Sequence, residues 1–241
     1  MSNPRFDVIF LSYDEPTANE NFARLREFAP HAKRVHGVSG LGNAHRKAAE
    51  ISETDYLFVI DADNWILNGF AFDPPEPELS GKYLWCSQNA VNGAIWRNGA
   101  IKLIRRDDVL SMDSFAVDFF LSIPGGIKLV DVVASETRFN SSPFMAWRAG
   151  FRECAKLAAG AVRSERVEEI LNIWQTVGAD KPHGDWCIRG SRLGAAFGKA
   201  NARTPSLRQI NDIGWLKNEF SKCLESVSQD DNVIDMTSKS A

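Results

Sequence analysis

Apolar residues in the first third of the chain fall into short, almost unbroken runs separated by polar punctuation. Phe6-Asp7-Val8-Ile9-Phe10-Leu11-Ser12 and Tyr56-Leu57-Phe58-Val59-Ile60 are rich in Val, Ile and aromatics, and predict buried strands. Between them, Thr17-Ala18-Asn19-Glu20 has the pattern of a capping box, and Phe22, Leu25 and Phe28 or Ala29 follow at helical spacing. Pro30 ends that helix. A short strand is predicted around Arg34–Val38, then Ser39-Gly40-Leu41-Gly42-Asn43 leads into a second helix over 44–51. Strand, helix, strand, helix, strand predicts a βαβαβ half-sheet with right-handed crossovers. The loops after its first and third strands then open at one edge.

Beyond this the pattern is less regular. Residues 68–81 read as a surface loop or domain seam, and Tyr83–Ser87 as a further strand. Residues 94–104 predict a hairpin turned by Asn98-Gly99. Residues 115–121 and 127–134 form a helix or strand pair around Pro124-Gly125-Gly126. Ser142-Pro143-Phe144 opens a long helix, Met145 to Ala159. Ser164 caps another, with Val167, Ile170, Leu171, Trp174 and Val177 on its core face and Gly178 at its end. A last helix is predicted over 188–199, and the polar, acidic stretch from Ser226 predicts disorder.

Composition narrows the class. With 241 residues, 44% hydrophobic and 24% charged, the chain can build a substantial core. No apolar run reaches the roughly 20 residues of a membrane span, and Met1–Arg5 lead into no signal-peptide apolar region. Cys86, Cys154, Cys187 and Cys223 are too scattered for a zinc site or a disulfide framework. A reduced, cytoplasmic protein without membrane contact is the expectation. Charge is unevenly spread: residues 1–92 carry 8 Lys/Arg against 13 Asp/Glu, whereas 93–224 carry 19 against 14. Such a split can steer an anionic partner to one face.

The candidate chemistry lies where the strand at 56–60 runs into Asp61-Ala62-Asp63-Asn64. Alternate residues of an extended chain project to one side, so Asp61 and Asp63 can converge on a cation. At the carboxyl end of a strand in an open α/β sheet, paired carboxylates suit Mg²⁺ or Mn²⁺ shared with a substrate's phosphates. His45, Arg46 and Lys47, read as the first turn of their helix, oppose its dipole, an arrangement suited to a shared anion. Arg148, Arg152 and Lys156 are spaced by four along one helix face, where phosphates can bind. Lys181-Pro182-His183-Gly184-Asp185-Trp186 is a loop able to present ligands.

These features together resemble a known family. Ser12-Tyr13-Asp14-Glu15 after a first strand, the basic segment Asn43-Ala44-His45-Arg46, and a strand ending Asp61-Ala62-Asp63 look like the nucleotide-sugar half of a GT-A glycosyltransferase, over residues 5–110. Phe10–Pro16, Arg34–Val38 and Ala146–Glu153 are similar to uncharacterised or DNA-modifying glycosyltransferases of bacteriophages, among them those found beside TET-like oxygenases, which place sugars on 5-hydroxymethylcytosine. The resemblance implies a GT-A-like, Rossmann-type α/β mixed sheet flanked by helices, with a helical C-terminal part. It divides the chain into a nucleotide-sugar half (1–92), an acceptor-binding and helical half of the same domain (93–224) and a tail (225–241). It further implies a nucleotide-sugar donor, a UDP-sugar first, and Mn²⁺ or Mg²⁺.

By that analogy Ser12, Tyr13 and Asp14 take base and ribose, and His45 or Arg46 lies near the diphosphate. Asp61 reaches the ribose, or the metal through water, Asp63 binds the metal directly, and His183 adds a late metal or diphosphate ligand. Asp185 or Glu136 is the catalytic base, with Asp131 a further competitor. Trp147 stacks on a sugar or extruded base, and Arg148 and Arg152 hold DNA phosphates. The implied acceptor is 5-hydroxymethylcytosine in DNA, in the host cytoplasm if the protein is phage-encoded. Glycan or protein acceptors, a nucleotidyltransferase, and a non-catalytic nucleotide- or DNA-binding module compete. The nucleotidyltransferase lacks a glycine-rich triphosphate loop in this sequence.

Overall fold

The apolar runs at 6–12 and 56–60 pair side by side at the centre of a sheet, because both faces of each strand are hydrophobic and both must be covered. The computed structural model describes residues 6–73, 75–97, 99–113, 117–162 and 164–238, with side chains described to Ser226. Met1–Arg5, half of the expected Asn98-Gly99 turn and part of the predicted 115–121 element lie outside the described residues. The chain forms two compact units, 1–141 and 142–241. The charge boundary at residue 92 falls instead inside the sheet of the first unit.

In chain order the first unit contains β1 (Asp7–Ser12), α1 (Ala18–Phe28), β2 (Lys33–His36), α2 (Leu41–Ile51), β3 (Tyr56–Asp61) and β4 (Asn64–Ile66). Then come β5 (Lys82–Asn89), β6 (Ile95–Trp96), β7 (Ile101–Arg105), α3 (Arg106–Leu110), α4 (Phe119–Ser122) and β8 (Ile127–Thr137). The sheet order is β2-β1-β3-β7-β5-β8-β4, with β6 on β5. The predicted βαβαβ is observed, since β2 and β3 both run parallel to β1. β7 then enters antiparallel beside β3, making the sheet mixed. The predicted hairpin at 94–104 does not form as such: β6 pairs with β5, and β7 inserts between β3 and β5.

Helices cover both faces. On one, Ala18 and Leu25 of α1 pack with Val8, Phe10, Phe58 and Ile60; on the other, Ala48 and Ala49 of α2 pack with Ile9, Leu11, Leu57 and Val59. Phe58, Val59 and Ile60 are fully buried, each contributing about 1.5–3 kcal/mol over an exposed position. The second unit is helical: α5 (Pro143–Ala158), α6 (Val167–Thr176), α7 (Gly184–Ala200), a 3₁₀ turn (Pro205–Asn211) and α8 (Ile213–Ser238). Ser142 caps α5 by accepting from the Met145 amide, as its sequence predicts. The fold class read from the sequence, a mixed α/β sheet flanked by helices with a helical C-terminal part, is the one observed.

Three local expectations are corrected. Thr17 makes no side-chain cap on α1; its hydroxyl accepts from Asn21 Nδ2 at 3.3 Å. α2 begins at Leu41, directly after Gly40 at φ 89°, so His45 and Arg46 lie past its first turn. The stretch from Ser226 continues as helix to Ser238 instead of ending in disorder.

Candidate functional site

A cavity of about 410 Å³ opens at the carboxyl ends of β1 and β2, lined by Tyr13, Asp14, Glu15, Ala18, Asn19, Arg34 and His36. Its floor is knitted by polar contacts. Arg34 Nε donates to Ser12 Oγ at 2.7 Å, its Nη1 donates to Asn19 Oδ1 at 2.7 Å, and Ser12 Oγ is 3.0 Å from His36 Nδ1. Tyr13 is 47% exposed at the rim, and its backbone amide donates to Glu15 Oε2. A flat aromatic, two carboxylates and a fixed guanidinium in one cleft suit a polar, aromatic ligand with anionic groups.

Asp61 ends β3, directly opposite Leu11 of β1, so the acidic turn stands one strand from the start of the cavity's loop. Two buried amides hold it. Asn21 of α1 donates to the Ala62 carbonyl at 2.8 Å, tying the helix that lines the cavity to the middle of Asp61-Ala62-Asp63. Asn64 donates to the Asp61 carbonyl at 3.2 Å and to Asp63 Oδ1 at 2.8 Å. On its other side Asn64 Oδ1 accepts from Ser135 Oγ at 3.1 Å and Thr137 Oγ1 at 2.9 Å, both on β8. A turn held by buried hydrogen bonds keeps its carboxylates in place, because breaking any bond strands a buried polar group.

Sequence reasoning missed the principal neighbour of Asp61. Lys102, in the middle of the apolar strand β7, points its ammonium at Asp61 Oδ1, 2.7 Å away, and also donates to the Gly99 carbonyl at 2.6 Å. The signal was present, since a lone Lys within Ile101-Lys102-Leu103-Ile104 has no place in a buried strand without a partner. Asn21 carried a similar one: it stands with Ala18 and Leu25 on the buried face of α1.

Several expected site residues are committed elsewhere. His45 is buried inside the fold, its Nδ1 2.9 Å from the Leu41 carbonyl and its ring against Phe119 at 4.1 Å. Burial, with help from the Lys102 ammonium, pushes its pKa down to about 3. Arg46 donates to the carbonyls of Leu110 and Met112 and so fastens α2 to the end of α3. Neither faces an open anion site, because α2 starts a turn earlier than expected and turns both inward. In the second unit Trp147 is fully buried, stacked on Phe151 at 4.8 Å with Phe220 at its side, and has no face for a base.

Of the expected basic stripe, Arg152 donates to the Ile210 carbonyl and Asn211 Oδ1, and Lys156 pairs with Glu153 at 2.9 Å. Arg148 is half-buried, with Nη1 3.6 Å from Met145 Sδ. His183, left-handed at φ 57°, caps α7, and Asp185 is exposed in that helix's first turn. Both belong to the second unit. Glu136 lies on β8 opposite Trp65 of β4, in the unit that holds Asp61 and Asp63, and accepts from Arg138 Nε at 2.5 Å.

Among the described residues no three His, Cys, Asp or Glu side chains are grouped as a metal site. A divalent ion shared with substrate phosphates needs only one or two carboxylates. Asp61, however, already holds a buried ammonium, and a dication seated beside it would be repelled at short range. The donor set therefore does not fit a divalent ion resident on Asp61.

Compared with models of protein families and with curated proteins, the sequence matches none. Among solved structures it is similar to bifunctional IspDF from Campylobacter jejuni (12% identity, TM-score 0.40), with 57% of this chain covering 53% of that one. A glycosyltransferase involved in glycosylation of the major capsid of PBCV-1 gives 13% identity and TM-score 0.33, covering 52% of this chain and 82% of that one. HddC from Yersinia pseudotuberculosis gives 15% and 0.35, covering 55% and 72%. The chain thus spans about half the length of the IspDF protein. Likeness at this level carries no chemistry across, and function has to be read from the residues themselves. No helix among the described residues is long and apolar enough to cross a membrane.

Proposed function

We propose that the chain is a glycosyltransferase that moves a sugar from a nucleotide-sugar, a UDP-sugar first, to a hydroxyl group, with 5-hydroxymethylcytosine in DNA as the acceptor. The observation that carries this reading is the adjacency of the 410 Å³ cavity on β1 and β2 to the acidic turn that ends β3. Tyr13 can stack on a nucleobase, and Asp14 or Glu15 can accept from ribose hydroxyls. The diphosphate and sugar then extend toward Asp61 and Asp63. Ser12, expected to touch the nucleotide, supports this reading from beneath by fixing Arg34 and His36.

In such a transfer the acceptor oxygen attacks the anomeric carbon while the bond to the diphosphate breaks and its electron pair leaves with the phosphate oxygen. A carboxylate takes the acceptor proton. Glu136 is the candidate base within the sheet unit that holds Asp61 and Asp63. The metal role expected of Asp61 forms no part of this reading, since Asp61 is occupied by Lys102.

DNA as acceptor finds its support on α7, whereas α5 supplied the expected stripe. Arg189, Lys199 and the following Arg203 are exposed and, among the described residues, make no ion pair; Arg192 between them donates only to the Gln175 carbonyl. Cations that no carboxylate neutralises are available to phosphates.

The deciding experiment incubates the full chain with a panel of nucleoside diphosphate sugars and hydroxymethylated or unmodified DNA, reading nucleoside diphosphate release and glycosylated base. Turnover confined to hydroxymethylated DNA is expected. Asp63→Asn should lower it by roughly fivefold to tenfold, because Asn64 Nδ2 exchanges a charged acceptor for a neutral one and the turn is held less firmly. Turnover by Asp63→Asn equal to the parent would remove the acidic turn from the chemistry.

A further inference from the structure

The ammonium of Lys102 sits against Asp61, the first carboxylate of the acidic turn. It lies on the floor of the turn, 2.7 Å from Asp61 Oδ1, with its side chain 4% exposed against 37% for that of Asp61. β7 holds its backbone in register between Val59 of β3 and Leu84 of β5, and the buried stem is anchored at its tip by Asp61 and the Gly99 carbonyl. An ammonium has three donors. Among the described residues one is used by Asp61 and one by the Gly99 carbonyl, which leaves one. The partly exposed carboxylate beside it orients the ammonium through a charge-assisted hydrogen bond. The result is a fixed ammonium against the last residue of β3, on a strand two removed from β1, where the cavity opens.

Resting on the nucleotide-sugar reading, we propose that Lys102, in place of a divalent metal, supplies the positive charge that receives the donor's diphosphate. Its remaining N–H binds a phosphate oxygen. When the sugar–phosphate bond breaks and the electron pair passes to the diphosphate, the ammonium balances that charge without giving up its proton. The proton lost by the acceptor goes to the catalytic carboxylate, and nothing is oxidised or reduced. Asp61 is then a positioning residue for Lys102. A dication is not needed for this role, and the ammonium keeps one off Asp61.

Calorimetry with the full chain tests this through UDP, GDP, CDP and dTDP binding, in EDTA and in MnCl₂, alongside MnCl₂ alone. The nucleotide that binds should do so with affinities equal within about threefold in the two buffers, and MnCl₂ alone should give no heat of binding at the turn. Lys102→Met should weaken that nucleotide in EDTA by about tenfold or more, the size of a charge-assisted hydrogen bond to phosphate. Because Lys102→Met strands Asp61 in a partly buried site, the double variant Lys102→Met/Asp61→Asn removes both charges together and should bind just as weakly. Tightening by MnCl₂ of about tenfold in the parent would overturn the proposal. So would parental affinity in the double variant. Absence of binding by every one of the four nucleotides in both buffers would overturn the donor reading itself, and the proposal with it.

Discussion

His45 illustrates how one buried side chain links sequence, stability and pH. Its ring sits against Phe119, and burial together with the Lys102 ammonium pushes its pKa down to about 3. In the unfolded chain a histidine titrates near 6.5. Between those two values the unfolded chain takes up a proton that the folded chain excludes, so stability is full above about pH 6.5 and is lost as pH falls toward 3. His45→Gln should therefore show a smaller drop in urea midpoint between about pH 7.5 and about pH 5 than the parent protein. Equal drops would mean that other groups set the acid sensitivity. From sequence this histidine reads as an anion ligand, because a basic residue near a helix start invites that reading. What the sequence does not display is that Gly40 opens α2 at Leu41 and turns position 45 into the core. Asp61 and Asp63 were legible, because two carboxylates after an apolar run are visible in the chain itself. Lys102 and Asn21 were not, since their importance depends on strands and helices far away in sequence.

At the level of elements, the second unit depends on an unusually close helix pair. Gly190, Gly194 and Gly198 on α7 face the α5 backbone, and a Cβ at Gly194 would lie 2.1 Å from the Phe151 carbonyl oxygen. Gly150 reciprocates on α5, where a Cβ would meet the Cys187 carbonyl at 2.4 Å. Backbone on both sides leaves no flexible group to give way. Gly194→Ala should destabilise the protein by about 1–3 kcal/mol or more, read as a lower urea midpoint, even though alanine is the better helix former. An unchanged or raised midpoint would show that the helices can separate without loss. α5 was legible from Ser142-Pro143, and α7 only from residue 188, since the observed helix starts at Gly184 within the stretch read as a loop. Their contact was not, because a glycine inside a helix is uninformative until its neighbour is known. The basic residues of α5 were misread for a related reason: Arg152 has the spacing of a surface stripe, yet its partners are Ile210 and Asn211.

For the whole molecule, the charge imbalance seen along the chain becomes specific only when internal partners are subtracted. Lys156 is neutralised by Glu153 and Arg152 is hydrogen-bonded inside the unit, while Arg189 and Lys199 remain exposed on α7. If those two cations meet DNA phosphates, the Arg189→Ala/Lys199→Ala variant should weaken binding of duplex DNA regardless of sequence. It should also reduce the slope of log affinity against log salt by about 2, one for each phosphate that the variant no longer neutralises. A fluorescence-anisotropy titration at several salt concentrations measures this. An unchanged slope would assign DNA binding to other residues, or leave the acceptor outside nucleic acids.

The sequence alone determined the elements and their class, because strand and helix periodicity, caps and breakers act over a few residues. It also displayed the acidic turn, whose two aspartates are neighbours in the chain. Only the tertiary structure decided what surrounds them. It brought a lysine from β7 under Asp61 and amides from α1 and β4 around the turn, and it buried a histidine and a tryptophan that the sequence offers as ligands. The physical reason is range: a side chain's chemistry depends on burial and on partners within a few ångströms, and in a mixed sheet those partners come from strands more than forty residues apart.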